Sequence, residues 1–312
     1  MKVKIFFGMI LVALVLISPN VVLASSDDGK PLVVVSTTVL ESIVKDLAGD
    51  QVDILVLVSP SVCPGHYDVR PSDVWAVSNA KLILYHGIEP WVEKLVEASN
   101  SKADVVKVSG PWNTPDALKE RYQDVAKILE EKLGISVQER LSEKLKEINE
   151  VSEELKAKAE AYNFNDVNVI VMKWQKPFVE WLGFNVVASY PPPEKLSTKD
   201  IVELEKKARE ENVLLVIDNL QSGVSFGQNL ASHVGAVHVT LTNFPGNAPN
   251  VNTVLDVMRY NTENLIIAVK TAKEIQEKNA LKEKLSTYKT LAIVGVSLVV
   301  IEALVIIFIR RR

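Results

Sequence analysis

The chain has 312 residues, 47% hydrophobic and 24% charged, with 35 basic against 39 acidic side chains and a net charge of -4. That length is ample for one large or two medium domains, and the charge balance lacks the basic excess of a nucleic-acid binder. A single cysteine, Cys63, excludes an internal disulfide framework and a multi-cysteine zinc module, and 13 Gly with 14 Pro are too few for a disordered or fibrous chain.

Met1-Lys2-Val3-Lys4 is a short basic start, residues 5–17 are apolar, and Val22-Leu23-Ala24 has a small-residue cleavage pattern. Together they predict a secretory signal peptide over residues 1–24. With no cysteine near the cleavage point, a lipid anchor is not expected there. At the far end, residues 291–309 carry one charge, Glu302, and are followed by Arg310-Arg311-Arg312. At 1.5 Å per residue that stretch spans about 28 Å, one hydrocarbon core. It predicts a single-pass transmembrane anchor over residues 289–309 in the cell membrane, with Arg310 to Arg312 in the cytoplasm and the body of the protein outside the cell.

Between the ends, short Val- and Ile-rich runs alternate with amphipathic segments. Residues 32–35, 52–58, 82–85 and 105–106 read as buried strands, and 39–47, 72–79 and 91–98 as helices. Continuous apolar strands between helices predict a parallel sheet covered on both faces. Residues 115–161 are rich in Lys and Glu, with Leu141, Leu145, Ile148, Val151 and Leu155 at helical spacing. They predict a long helical segment in two pieces, Asp116 capping the first and Ser136 the second.

A second series follows, with strands at 167–172, 186–188, 213–217 and 237–241 and helices at 177–182, 198–211 and 223–234. Residues 252–284 predict a final helix, with a linker leading into the membrane. The fold class expected is α/β: an N-terminal βα lobe over 27–114, a linking helical segment over 115–162, and a C-terminal βα lobe with its final helix over 163–285. In open α/β sheets, ligands bind beyond the carboxyl ends of the strands. Two such edges can face each other across a cleft.

The loop after the second strand, residues 59–68, holds Cys63, His66 and Asp68. A thiolate and an imidazole three residues apart can chelate zinc or copper(I). The ordinary alternatives are a surface histidine and a small buried apolar thiol.

Val34-Val35-Ser36-Thr37-Thr38, with Ile43 and Ala48-Gly49-Asp50, resembles the opening of the zinc- and manganese-specific solute-binding proteins of ABC importers. His66-Tyr67-Asp68 with Pro71-Ser72-Asp73 is similar to that family's His-containing loop and the helix start after it. Residues 80–87, with Glu89-Pro90-Trp91 and Leu95, are similar to its next strand and helix, and Tyr260-Asn261 to its final helix. The resemblance covers about residues 32–275 and is looser in the second lobe. It implies two βα lobes bridged by one long rigid helix, a divalent metal as ligand (zinc first, manganese second), and an ABC permease in the membrane as partner.

The resemblance also implies four metal ligands: two His, a third His or Glu, and an Asp. His66 fills the first place after a one-residue shift, since Gly65 falls at the strict position. The counterparts of the other three are residues 109–115, 172–175 and 242–243, which carry no such ligand. Two explanations stay open. A rebuilt site would use Cys63, His66 and Asp218, with His86 as a further candidate. A site that has lost metal would be a neutral cleft for another small solute, lined by Trp112, Trp174, Gln175, Asn219, Gln221 and Asn243, and Lys173 favours it because an ammonium repels a cation.

His233 reads as a helix-terminal cation, His238 as structural, Trp75, Trp91 and Trp181 as core-facing, and Pro191-Pro192-Pro193 as a stiff loop at the rim. No G-x-S-x-G elbow, H-E-x-x-H or phosphate loop is present, so no enzyme is expected. The leading expectation is a tethered solute receptor. Its rival is a surface interaction or adhesion protein that keeps the fold.

Overall fold

The computed structural model describes residues 29–311. The expected signal peptide lies outside the described residues, as does Arg312. Among the described residues, 31–311 form one compact unit.

The first lobe contains strands β1 (Leu32–Val35), β2 (Asp53–Val56), β3 (Leu82–Tyr85) and β4 (Asp104–Lys107), all parallel, in the order β2-β1-β3-β4. Its helices are α1 (Thr38–Ala48), α2 (Pro71–Asn79) and α3 (Val92–Ala98). Then come α4 (Pro115–Leu133) and α5 (Gln138–Ala161). The second lobe repeats the plan. Strands β5 (Asn168–Met172), β6 (Asn185–Tyr190), β7 (Leu215–Asn219) and β8 (Val237–Leu241) run parallel in the order β6-β5-β7-β8. Helices α6 (Lys176–Trp181), α7 (Thr198–Glu210) and α8 (Ser225–Val234) connect them, and α9 (Val254–Arg310) closes the chain.

Strand alternation sorts the core. Val33, Val35, Leu82 and Leu84 face α1, α4 and α5, and Val169, Val171, Leu215 and Ile217 join the same continuous core with α9. Val34 and Ile83, of opposite parity, pack with Ala76, Val77 and Leu95. Ile170, Met172 and Val216 pack with Leu204 and Leu230 from α7 and α8. One core therefore runs through both lobes, and each sheet closes its outer face separately.

Two expectations are corrected. The linking segment is two long helices, as its spacing predicts, but their caps are not Asp116 and Ser136. Thr114 caps α4, its hydroxyl accepting from the Ala117 amide, and α4 ends at Gly134, whose φ of 66° is left-handed. Then α5 packs against α4, α1 and α9. The expected linker after residue 284 is absent: α9 runs unbroken for 57 residues from a capping box between Thr253 and Asp256. It contains no proline, and its most apolar stretch has a mean hydropathy of 2.9 with none of it buried. By length and composition this helix can cross a membrane.

Candidate functional site

In both sheets the order reverses between the first and third strands, at β1/β3 and at β5/β7. Such switch points are where open α/β sheets bind ligands. Beside these switch points, the loops leaving β2, β3 and β4 of the first sheet and all four strands of the second converge on a cavity of about 850 Å³ between the lobes. Cys63, His66, His86, Ile88 and Trp112 line it from the first lobe, and Lys173, Trp174, Asn219, Gln221 and Asn243 from the second.

Cys63 immediately precedes a short 3-10 turn, Pro64–His66, held by the His66 amide donating to the Cys63 carbonyl at 3.0 Å. The thiol is free and half-buried. His66 is exposed, and its imidazole has no hydrogen-bond partner among the described residues. Both side chains therefore keep lone pairs for a ligand.

His86 differs. It is 4% exposed and stacks on Trp112 at 4.3 Å between ring centroids. Burial pulls its pKa down to about 4, against the opposing pull of Glu89 and the Val108 carbonyl. The ring is thus neutral at pH 7. Its Nδ1 lies 3.3 Å from the Val108 carbonyl, which can only accept, so Nδ1 carries the proton. Nε2, 2.9 Å from the Thr37 hydroxyl, is then the acceptor. With both nitrogens committed, His86 offers no lone pair to a metal and is corrected to a wall residue. The loop it starts is held by Glu89, whose Oε1 accepts from the Ser36 hydroxyl at 2.5 Å and from the His86 amide at 3.2 Å.

The second lobe contributes a floor of amides. Gln175, fully buried, donates through Nε2 to Asn219 Oδ1 and to Asn243 Oδ1, each at 3.0 Å. Its own Oε1 is buried without a partner. Gln221 donates to the Thr242 hydroxyl at 2.9 Å and accepts from the Asn243 amide at 3.3 Å. Asn261 of α9 pins the loop after β8, accepting from the Thr242 amide at 3.0 Å and donating to its carbonyl at 2.8 Å. The lobes are stitched at the cleft: Trp112 Nε1 donates to the Asn243 carbonyl at 3.2 Å, Asn113 to the Trp174 carbonyl at 2.8 Å, and Thr38 to the Pro245 carbonyl at 2.9 Å.

A family model described as the zinc-uptake complex component A, periplasmic (ZnuA) matches residues 33–268. The chain belongs to this family. Its members are solute-binding receptors of ABC transporters, not enzymes. The metal ABC transporter substrate-binding lipoprotein SsaB of Streptococcus sanguinis is 36% identical over 85 residues, 25% of this chain and 28% of that protein. The manganese-binding lipoprotein MntA of Halalkalibacterium halodurans is 35% identical over 88 residues, 27% of this chain and 29% of that protein. The sequence match thus spans only about a quarter to a third of the length of these curated relatives. Among solved structures, the periplasmic zinc-binding protein TroA of Treponema pallidum superposes with a TM-score of 0.68 at 20% identity, over 77% of this chain and 99% of that one. The laminin-binding protein Lmb of Streptococcus agalactiae, described as bifunctional with adhesin and metal transporting activity, gives 0.65 at 20% over 77% and 99%. These likenesses show the fold: two parallel sheets and a long C-terminal helix.

Of the candidate ligands, the cleft brings together Cys63 and His66 but not Asp218. Asp218 has the parity of Val216 in β7, so it faces α8. It is fully buried, accepting from the Tyr190 hydroxyl and lying 2.8 Å from His238 Nε2. Gly227 of α8 makes room for it, since a Cβ there would stand 2.2 Å from Asp218 Oδ2. Among the described residues, no three His, Cys, Asp or Glu side chains converge in a metal-sized group.

The residues named for a neutral cleft fall into place. Trp112, Trp174, Asn219, Gln221 and Asn243 line the cavity, Gln175 lies beneath it, and Lys173 lies at the wall with its Nζ 5.6 Å from the Trp174 ring centre. Sequence reasoning missed Phe244, Glu194 and Lys195. The three prolines before Glu194 marked that rim. Trp75, expected in the core, is 63% exposed.

Proposed function

We propose that this chain is the extracytoplasmic cargo receptor of an ABC-type metal importer, with zinc as first cargo and manganese as second, taken between the lobes and passed to a membrane permease. The observation that carries this reading is the pair of free donors, Cys63 and His66, on the wall of a cavity at the carboxyl ends of both sheets. A thiolate and an imidazole suit zinc, and the relatives' names include a manganese-binding lipoprotein. Helix α9 serves as tether, with its apolar stretch in the membrane and Arg310 and Arg311 on the cytoplasmic side. Tethering keeps the receptor at high effective concentration near its permease.

Elemental analysis of the full chain, isolated from its own membranes without chelator, tests this. The expected result is close to one zinc or manganese per chain, lost in the Cys63→Ser, His66→Ala double variant. Metal-free native protein overturns the reading. A second reading, a receptor for a metal-free polar solute, is favoured by the amide floor of Gln175, Asn219 and Asn243.

A further inference from the structure

The donor count at the cleft does not close around a bare ion. Zinc takes four ligands. The first lobe presents two unengaged donors, Cys63 and His66, from one loop. The second lobe presents amides, an indole and ammonium groups. The one carboxylate on the lining, Glu194, is exposed and does not group with the two donors. A cavity of about 850 Å³ is far larger than an ion needs, and lies within the usual 300–1,000 Å³ of small-molecule sites.

We propose that the cargo enters as a metal already held by a small carboxylate-bearing organic chelator, with Cys63 and His66 filling coordination positions the chelator leaves open. This rests on the metal-cargo reading above and names the form of that cargo. The cysteine thiol gives its proton to solvent on ligation, and no redox change is involved.

Three independent features of the cavity fit such a ligand. Lys173 and Lys195 line the cavity, and neither makes an ion pair among the described residues. Ammonium groups repel a bare dication, whereas a dication bound by three carboxylates carries a net negative charge that they attract. The faces of Trp112 and Trp174 offer apolar surface to the carbon skeleton of a chelator. Finally, Asn219 and Asn243, which both line the cavity, are held from beneath by Gln175 Nε2, and their side-chain amides offer N–H donors to a carboxylate.

Calorimetric titration of the full chain in detergent tests the proposal with four probes: free zinc, and zinc bound by nitrilotriacetate, citrate or histidine. Each chelator is also titrated alone. At least one zinc complex is expected to bind tenfold or more tighter than free zinc and than its own chelator. Cys63→Ser and His66→Ala each cut that affinity at least tenfold, and Lys173→Gln weakens the carboxylate complexes while strengthening free zinc binding. With cobalt in place of zinc, the bound complex shows thiolate-to-cobalt charge-transfer absorption that Cys63→Ser abolishes. Free zinc binding as tightly as every complex overturns this inference and leaves the metal-importer reading standing. A chelator binding equally with and without metal overturns both. No complex binding tighter than free zinc overturns the inference.

Discussion

Gln221 of the second lobe donates its side-chain amide to the carbonyl oxygen of Pro60 in the first lobe, at 2.8 Å. Asn247 donates to the same oxygen at 2.7 Å. A carbonyl has two lone pairs, so this oxygen is saturated by two residues from across the cleft. Gly246 packs beside it: a Cβ there would lie 3.2 Å from the Pro60 ring. The Gln221→Ala, Asn247→Ala double variant is expected to lose about 1–3 kcal/mol, two modest hydrogen bonds. Urea unfolding measures this, and a midpoint equal to wild type would show that the stitch adds nothing.

His86 sets a pH dependence. Its pKa is held at about 4 in the folded protein by burial, against 6.5 ordinarily. Between those values the unfolded chain binds a proton that the folded one refuses. The stability this histidine contributes is therefore complete above pH 6.5 and is lost as pH falls toward 4. The loss amounts to about 3 kcal/mol at most. Melting curves from pH 7 to pH 4 should fall less steeply for His86→Gln than for wild type, and equal slopes would count against a neutral buried ring.

Asp218 is expected to matter for folding and not for cargo. Asp218→Ala strands the Tyr190 hydroxyl and His238, costing about 1–3 kcal/mol. Gly227→Ala, which pushes a methyl group into that carboxylate, should destabilise comparably. Both variants should keep wild-type metal content after isolation from membranes. A loss of metal in Asp218→Ala at temperatures where the protein remains folded would return the residue to the site.

The proposed tether can be removed without touching the core. Ala272 is the last residue of α9 buried against the second lobe. Truncation after Lys284 is expected to give a water-soluble protein whose melting temperature matches the full chain within a degree or two. Membrane fractionation and scanning calorimetry check this, and truncated protein left in the membrane fraction would refute the tether.

Much of the fold was legible because Val and Ile runs such as Val33-Val34-Val35 and Val169-Ile170-Val171 have no other good use than buried parallel strands. The same property hid the site. β7 is buried on both faces, so hydropathy cannot tell that Asp218 points under α8 while Asn219 meets Gln175 at the cleft. Trp75 misled because α2 is short and only weakly two-sided. The amide floor was legible as residue types at strand ends, but not as a hydrogen-bonded layer, since Gln175, Asn219 and Asn243 lie at or just beyond the ends of three separate strands. The continuity of α9 had a signal: no proline follows Pro249, and no glycine precedes Gly295 within the helix.

That continuity ties direction to height. The helix that closes the core of the second lobe is the helix that carries the apolar stretch, with no swivel between them. Beyond Lys273, which still donates to the Tyr162 carbonyl, residues 274–290 of the helix stand clear of the lobes over about 26 Å. The mouth of the cleft therefore shares one helical phase with the side chains of the apolar segment. Adding one residue to that mast would turn the cleft by about 100° while lifting it only about 1.5 Å, whereas adding seven would lift it about 10 Å and leave it facing nearly as before. With the apolar stretch in a membrane, as proposed above, the bearing the cleft presents to a neighbour there is written in the number of residues between the lobe and that stretch, rather than left to chance by a flexible leash.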